Sequence, residues 1–160
     1  MTTPLVGILM GSKNDWETMR AASDALTELQ IPHESKVISA HRTPARHHEY
    51  VSSAKDRGIK TIIAGAGMAA HLAGVTAALT TLPVFGVPLK GGLSDGLDSL
   101  LATVQMPGGV PVGTLAVGRA GAKNAALLSA AVLALSDPSL DARLVAYRES
   151  MSAAVPTEPE

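Results

Sequence analysis

"PLVGILMGSKND", residues 4–15, decides the fold. The run 4–10 carries no polar side chain, Gly11 breaks it, and a Ser-x-x-Asp sequence follows. A short apolar stretch that does not alternate reads as a strand covered on both faces, the habit of parallel sheets. Ser12, followed three residues later by Asp15, is a capping signature that opens a helix. That helix is expected over 14–30, where Trp16, Met19, Leu26 and Leu29 recur at helical spacing.

Outward from this unit the same alternation repeats. "ESKVI" (34–38), "KTIIAG" (60–65), "LPVFGV" (82–87) and "VGTLAV" (112–117) read as strands, rich in branched residues and bounded by Gly, Pro or Ser. Amphipathic stretches at 44–57, 69–80, 94–105 and 121–136 read as helices, with a last one over 138–150 that has Pro138 in its first turn. The tail 154–160 is expected to fray. Five strands alternating with helices predict an α/β fold: a parallel sheet covered on both faces, in one domain over 1–160. No internal repeat or linker divides it; "MPGGVP" (106–111) is a turn feeding the fifth strand.

Composition bounds the function. An apolar fraction of 46% with 17% charged residues describes a globular chain. The net charge of −1 gives no broad attraction to nucleic acid or to an anionic membrane, so any phosphate recognition must be local. Cysteine is absent, which removes thiolate catalysis and Cys-based metal sites and suits a reducing cytoplasm. No apolar run reaches membrane-spanning length, and the first residues lack the basic start of a signal peptide. Aromatics make up 2% while Ala is abundant, so helices are expected to lie close through Ala faces, which also suit subunit contacts.

In open parallel sheets ligands bind beyond the carboxyl ends of the strands, where strand order reverses. With the order 2-1-3-4-5, three turns meet there: "MGSKND", "SAHRTP" and "GAGMAAH". The first has free N–H groups at a helix start, which suit an anion, although capping alone explains Ser12 and Asp15. In "SAHRTP" (39–44), Thr43 as N-cap and Pro44 at the first helical position are a good helix start, but they leave His41 and Arg42 unexplained. An arginine at a helix N-terminus opposes the dipole unless an anion sits between them. A histidine titrates near neutrality and can both give and take a proton. "GAGMAAH" has the outline of a dinucleotide fingerprint but follows the third strand and lacks the acidic residue expected further on. Gly65 and Gly67 instead allow close approach of a ligand or a helix. His47 and His48 point about 100° apart on a helix and cannot share an ion. With His33 they read as solvated surface residues, and no metal site is expected.

"MGSKNDW", "SAHRTP", "IIAGAGMAAHLAG", "GVPL", "LDSLLATVQMPGGVPVGTLAVG" and "GAKNAALL" fall in register with one family from about Val6 to Leu144. The chain resembles the N5-carboxyaminoimidazole ribonucleotide mutases of purine biosynthesis. The resemblance implies a flavodoxin-like three-layer αβα sandwich with a five-stranded parallel sheet, assembled as a homo-octamer. It implies a ribonucleotide substrate whose carboxyl group moves from the exocyclic nitrogen to ring carbon C4, with no metal or organic cofactor. Carried over by position, His41 is the general acid/base, Arg42 meets the phosphate, Asp15 the ribose hydroxyls, and Ser12 also binds substrate. Ser39, Gly65, Ala66 and Leu72 complete the pocket, with His71 nearby. A transient contact with the upstream ATP-dependent carboxyaminoimidazole synthase belongs to the same expectation.

This chain departs from the family pattern at Asn14, where Ser is usual, at Met68, where Gly is usual, and at Ala73, where Pro is usual; "KGG" at 90–92 is also unusual. The nearest rival is the sister enzyme that carboxylates aminoimidazole ribonucleotide directly with CO2, which carries Lys after "SAH" and lacks "AAHL". A non-catalytic flavodoxin-like nucleotide-binding module is the rival from another class. Its phospho-accepting form needs an acidic pair after the first strand and an Asp after the third, and both are missing.

Overall fold

The computed structural model describes residues 3–159. Its strands are β1 (Val6–Met10), β2 (His33–Val37), β3 (Thr61–Ala66), β4 (Val84–Pro88) and β5 (Gly113–Thr114). All pair in parallel, in the order β2-β1-β3-β4-β5. The helices are α1 (Trp16–Glu28), α2 (Pro44–Ala54), α3 (Leu72–Ala78), α4 (Leu97–Val104), α5 (Arg119–Ala134) and α6 (Pro138–Ala153).

The two-residue period of a strand sends neighbours to opposite faces. Ile8, Met10, Ile63, Phe85 and Val87 point into one core with α1, α5 and α6. Leu9, Ile62, Ala64 and Val84 point into a second core with α2 and α3. The inner strands β1, β3 and β4 are therefore almost wholly apolar because both faces are covered, whereas the edge strand β2 is polar and partly exposed.

Ala21, Ala22 and Ala25 of α1 meet Ala122, Ala125, Ala126 and Ala130 of α5 in the first core, all buried. The Ala face of α5 is thus used inside the chain rather than between chains. Gly65 serves the same close packing: a Cβ there would collide with the side chain of Met19. Trp16, the one tryptophan of the chain, is half-buried at the start of α1 against this core.

Several element boundaries differ from expectation. The strand expected over 112–117 is regular only at Gly113 and Thr114, beyond which the Leu115 and Gly118 N–H groups donate to the Gly86 and Pro88 carbonyls. Pro88 at the end of β4 has no N–H to carry the ladder further, and the chain leaves the edge to begin α5. The helix expected over 69–80 starts at Leu72, because residue 68 takes a left-handed conformation (φ 55°) and the stretch 67–71 is a turn. The last helix runs past 150 to Ala153.

Candidate active site

The carboxyl ends of β1, β2, β3 and β4 open into one cleft of about 470 Å³. Its first wall is the turn after β1. There the Ser12 hydroxyl accepts from the Asn14 N–H at 3.3 Å and Asp15 Oδ2 accepts from the Ser12 N–H at 2.9 Å. Both residues cap the turn and line the cleft as well. Burial raises the Asp15 carboxyl above its ordinary value, opposed by the Ser12 N–H and the Arg42 charge.

The second wall is the loop after β2. Thr43 stands at the N-cap of α2, but its side chain does not cap the helix. Its hydroxyl instead closes the loop, accepting from the Ser39 N–H and donating to the Ser39 carbonyl, each at 2.9 Å. The Ser39 hydroxyl accepts from the Arg42 N–H at 3.1 Å. Held by both ends, the loop presents His41 and Arg42 outward. The Arg42 guanidinium reaches the Gly11 carbonyl at 2.6 Å and so joins the first two walls.

The third wall follows β3. His71 occupies the N-cap of α3 without capping it through its side chain. Its Nδ1 lies 2.8 Å from Nε2 of His41, with ring centroids 4.9 Å apart and planes at 89°. One nitrogen donates and the other accepts, so the two imidazoles share a proton position across the cleft. The arrangement can hold an anion at Arg42, accept hydroxyl donors at Asp15 and move a proton at the imidazole pair.

Ser12, Asp15, Ser39, His41, Arg42, Ala66, His71 and Leu72 all line this cleft. Gly65 does not; it lies beneath, against Met19. The exposed Met68 lines the cleft in the left-handed conformation that favours Gly. Lys90, Gly91 and Gly92, after β4, were not expected here. The carboxyl-end rule would have found them if the fourth strand's turn had been included with the other three.

Two of the histidines expected at the surface are not there. His47 is 2% exposed, its Nε2 2.8 Å from the Thr76 hydroxyl. Thr76 donates its own proton to the Leu72 carbonyl at 2.7 Å, so His47 is the donor. The half-buried His33 places Nε2 2.8 Å from the Ser23 hydroxyl and Nδ1 2.8 Å from the Ile31 carbonyl. A helix-neighbour argument excluded a shared metal but could not see these partners on α3 and α1. His48 is exposed, as expected.

A parallel sheet in this order, with its polar side chains gathered at the point where strand order reverses, defines a flavodoxin-like α/β protein with a ligand cleft at its switch point. The chain belongs to the AIR carboxylase family, whose profile matches residues 5–154. It is 59% identical over 147 residues to the N5-carboxyaminoimidazole ribonucleotide mutase of Bacillus subtilis, covering 92% of this chain and 91% of that one. It is 58% identical over 159 residues to the bifunctional purine synthesis protein purC/E of Dictyostelium discoideum; the match takes 99% of this chain and spans 16% of that protein's length. Its fold matches the crystal structure of Treponema denticola PurE with a TM-score of 0.84 at 27% identity, over 94% of this chain and 92% of that one.

Proposed function

We propose that this chain is an N5-carboxyaminoimidazole ribonucleotide mutase, an isomerase of purine biosynthesis that yields 4-carboxy-5-aminoimidazole ribonucleotide on the way to IMP. The observation that carries the reading is the His41–His71 hydrogen bond at the centre of a cleft flanked by Arg42 and Asp15. Curated relatives of that name at 51–59% identity support it.

Arg42 takes the 5′-phosphate, with a planar fork suited to paired oxygens. Asp15 accepts from the ribose hydroxyls, Ser12 and Ser39 supply further polar contacts, and Ala66 and Leu72 pack on the base. Gly65 contributes indirectly, by letting β3 settle on Met19. His41, protonated, gives its proton to the exocyclic nitrogen as the N–C bond breaks and CO2 leaves. Ring carbon C4 then attacks the retained CO2, and neutral His41 removes the C4 proton. The net change moves one proton from C4 to nitrogen and restores His41. His71 orients the His41 ring and shares its proton. Water must stay out while CO2 is free, so the cleft closes around the intermediate.

The whole chain acts as one domain in the cytoplasm, as a homo-octamer. Exposed Leu128, Leu135, Val145 and Met151 along the α5–α6 groove support assembly through those helices. A transient contact with the ATP-dependent synthase that makes the substrate belongs to the same reading. Direct carboxylation with CO2 is the competing chemistry; Arg42 and the stretch Ala69–Leu72 favour the mutase. Substrate with a labelled carboxylate, turned over in unlabelled bicarbonate, is expected to give product that keeps most of its label. Extensive exchange, or fast turnover of the free amine with bicarbonate, would favour the carboxylase instead.

A further inference from the structure

Lys90 is a cation in the cleft to which the mechanism gives no work. The Leu89 N–H donates to the Ala66 carbonyl at 2.9 Å, fastening the turn after β4 to the turn after β3. The Lys90 stem lies along Gly118, its carbons 3.6 to 3.8 Å from where a Cβ would stand. Its ammonium meets Asp95 Oδ2 at 3.1 Å, and both side chains are mostly exposed. The loop around it is itself fastened: the Leu93 N–H donates to Asp98 Oδ2 at 3.0 Å, and the buried Ser99 hydroxyl to the Leu89 carbonyl at 2.7 Å. The backbone that carries Lys90 is therefore fixed at the rim, with its ammonium exposed.

Strand order sets the scale of its distance from the other cation. Arg42 follows β2, but its guanidinium sits on the Gly11 carbonyl just after β1, two strand intervals from β4, which Lys90 follows. At about 4.8 Å each this is roughly 10 Å. The imidazole pair joins the turns after β2 and β3 and lines the same cleft as the two cations. A ribonucleotide 5′-phosphate with a carboxylated ring is anionic at both ends and about that long. With its phosphate on Arg42 and its ring at the imidazoles, its carboxyl end faces the β4 turn.

We propose that Lys90 is a substrate-binding residue that takes the carboxylate of the nucleotide, giving up Asp95 to do so. The inference rests on the mutase reading and adds a specificity determinant to it. An exposed ion pair is easily exchanged for a partly desolvated one. Lys90 would then separate the carboxylated nucleotide from the free amine, which carries the same phosphate and ribose.

The test measures binding of 4-carboxy-5-aminoimidazole ribonucleotide and of aminoimidazole ribonucleotide to wild type, Lys90→Met and Asp95→Asn, with circular dichroism confirming folding. Lys90→Met is expected to weaken the carboxylated nucleotide about tenfold or more and to leave the amine within about twofold. Asp95→Asn, which frees the ammonium, is expected to tighten the carboxylated nucleotide alone. Equal weakening of both ligands would assign Lys90 to the phosphate or to general attraction, and no change in either would remove it from the site; both outcomes overturn the proposal. Wild-type protein that bound neither nucleotide would sink the mutase reading, and this inference with it.

Discussion

Nε2 of His41 and Nδ1 of His71 stand 2.8 Å apart although 30 residues separate them in the chain. The contact exists because β2 and β3 flank β1 in the sheet, which brings the turns after them to one rim. A single hydrogen bond of this kind forces complementary tautomers on two neutral rings.

Replacing His41 with Asn keeps the loop, whose bonds run through Ser39, Arg42 and Thr43. His41→Asn is expected to fold and bind nucleotide but to lose turnover by ~10²–10⁴, the usual contribution of a positioned acid/base. Steady-state kinetics beside a binding titration check this. Turnover within threefold of wild type would exclude His41 from proton transfer.

Because the two rings act through one bond, their removal should not be additive. In a cycle of His41→Asn, His71→Asn and the double variant, the second substitution is expected to cost much less than it does alone. The coupling in kcat/KM should be about 0.5–3 kcal/mol. Additive losses would show that His71 acts independently of His41.

Arg42→Lys keeps charge and loses the fork. A point charge cannot hold both a phosphate and the Gly11 carbonyl as the guanidinium can. Nucleotide affinity is expected to fall by roughly 1–3 kcal/mol, read by calorimetric titration. Unchanged affinity would place the phosphate elsewhere.

Burial, with the neighbouring His48 charge, holds the His47 imidazole below its ordinary pKa. The unfolded chain takes up a proton at this ring near pH 6.5, whereas the folded one does so only at lower pH. Its contribution to stability is therefore complete above about pH 6.5, falls as pH drops toward the lowered native value, and levels off below that. Urea midpoints are expected to fall with acid through this window in the wild type. The fall should be smaller in His47→Leu, which has no proton to take up; equal falls would contradict the assignment.

Light scattering at micromolar concentration is expected to give about 130 kDa, eight copies of the 16.3 kDa chain in closed symmetry. Polar substitution at Leu135, which is 87% exposed, should shift the assembly toward smaller species without unfolding the chain. A wild-type monomer would refute the octamer.

The parallel sheet was legible because burial on both faces writes itself as uninterrupted apolar runs, as in Val6–Met10 and from Ile62 to Ala66. The convergence of Ser12, Asp15, His41 and Arg42 followed from the carboxyl-end rule once strand order was assumed. Long-range side-chain partners were not legible. His47 needed Thr76 on another helix before its burial made sense, and His33 needed Ser23. Thr43 carried the right cap residue type yet spent its hydroxyl on Ser39, a choice set by loop closure rather than by helix propensity. The stretch 90–92 stood out in the sequence only as unusual, because the place of Lys90 in the cleft depends on where β4 ends relative to β3.

The scarcity of aromatic residues has an optical consequence. The one tryptophan, Trp16, immediately follows Asp15 and begins the helix whose capping turn forms a wall of the cleft. Emission excited at the indole band therefore comes from a single place beside the proposed ribose contact. Neither a distant tryptophan nor a second emitter dilutes it. The protein carries its own fluorophore one residue from its site, and ligand titrations of the variants named above can be followed without any label.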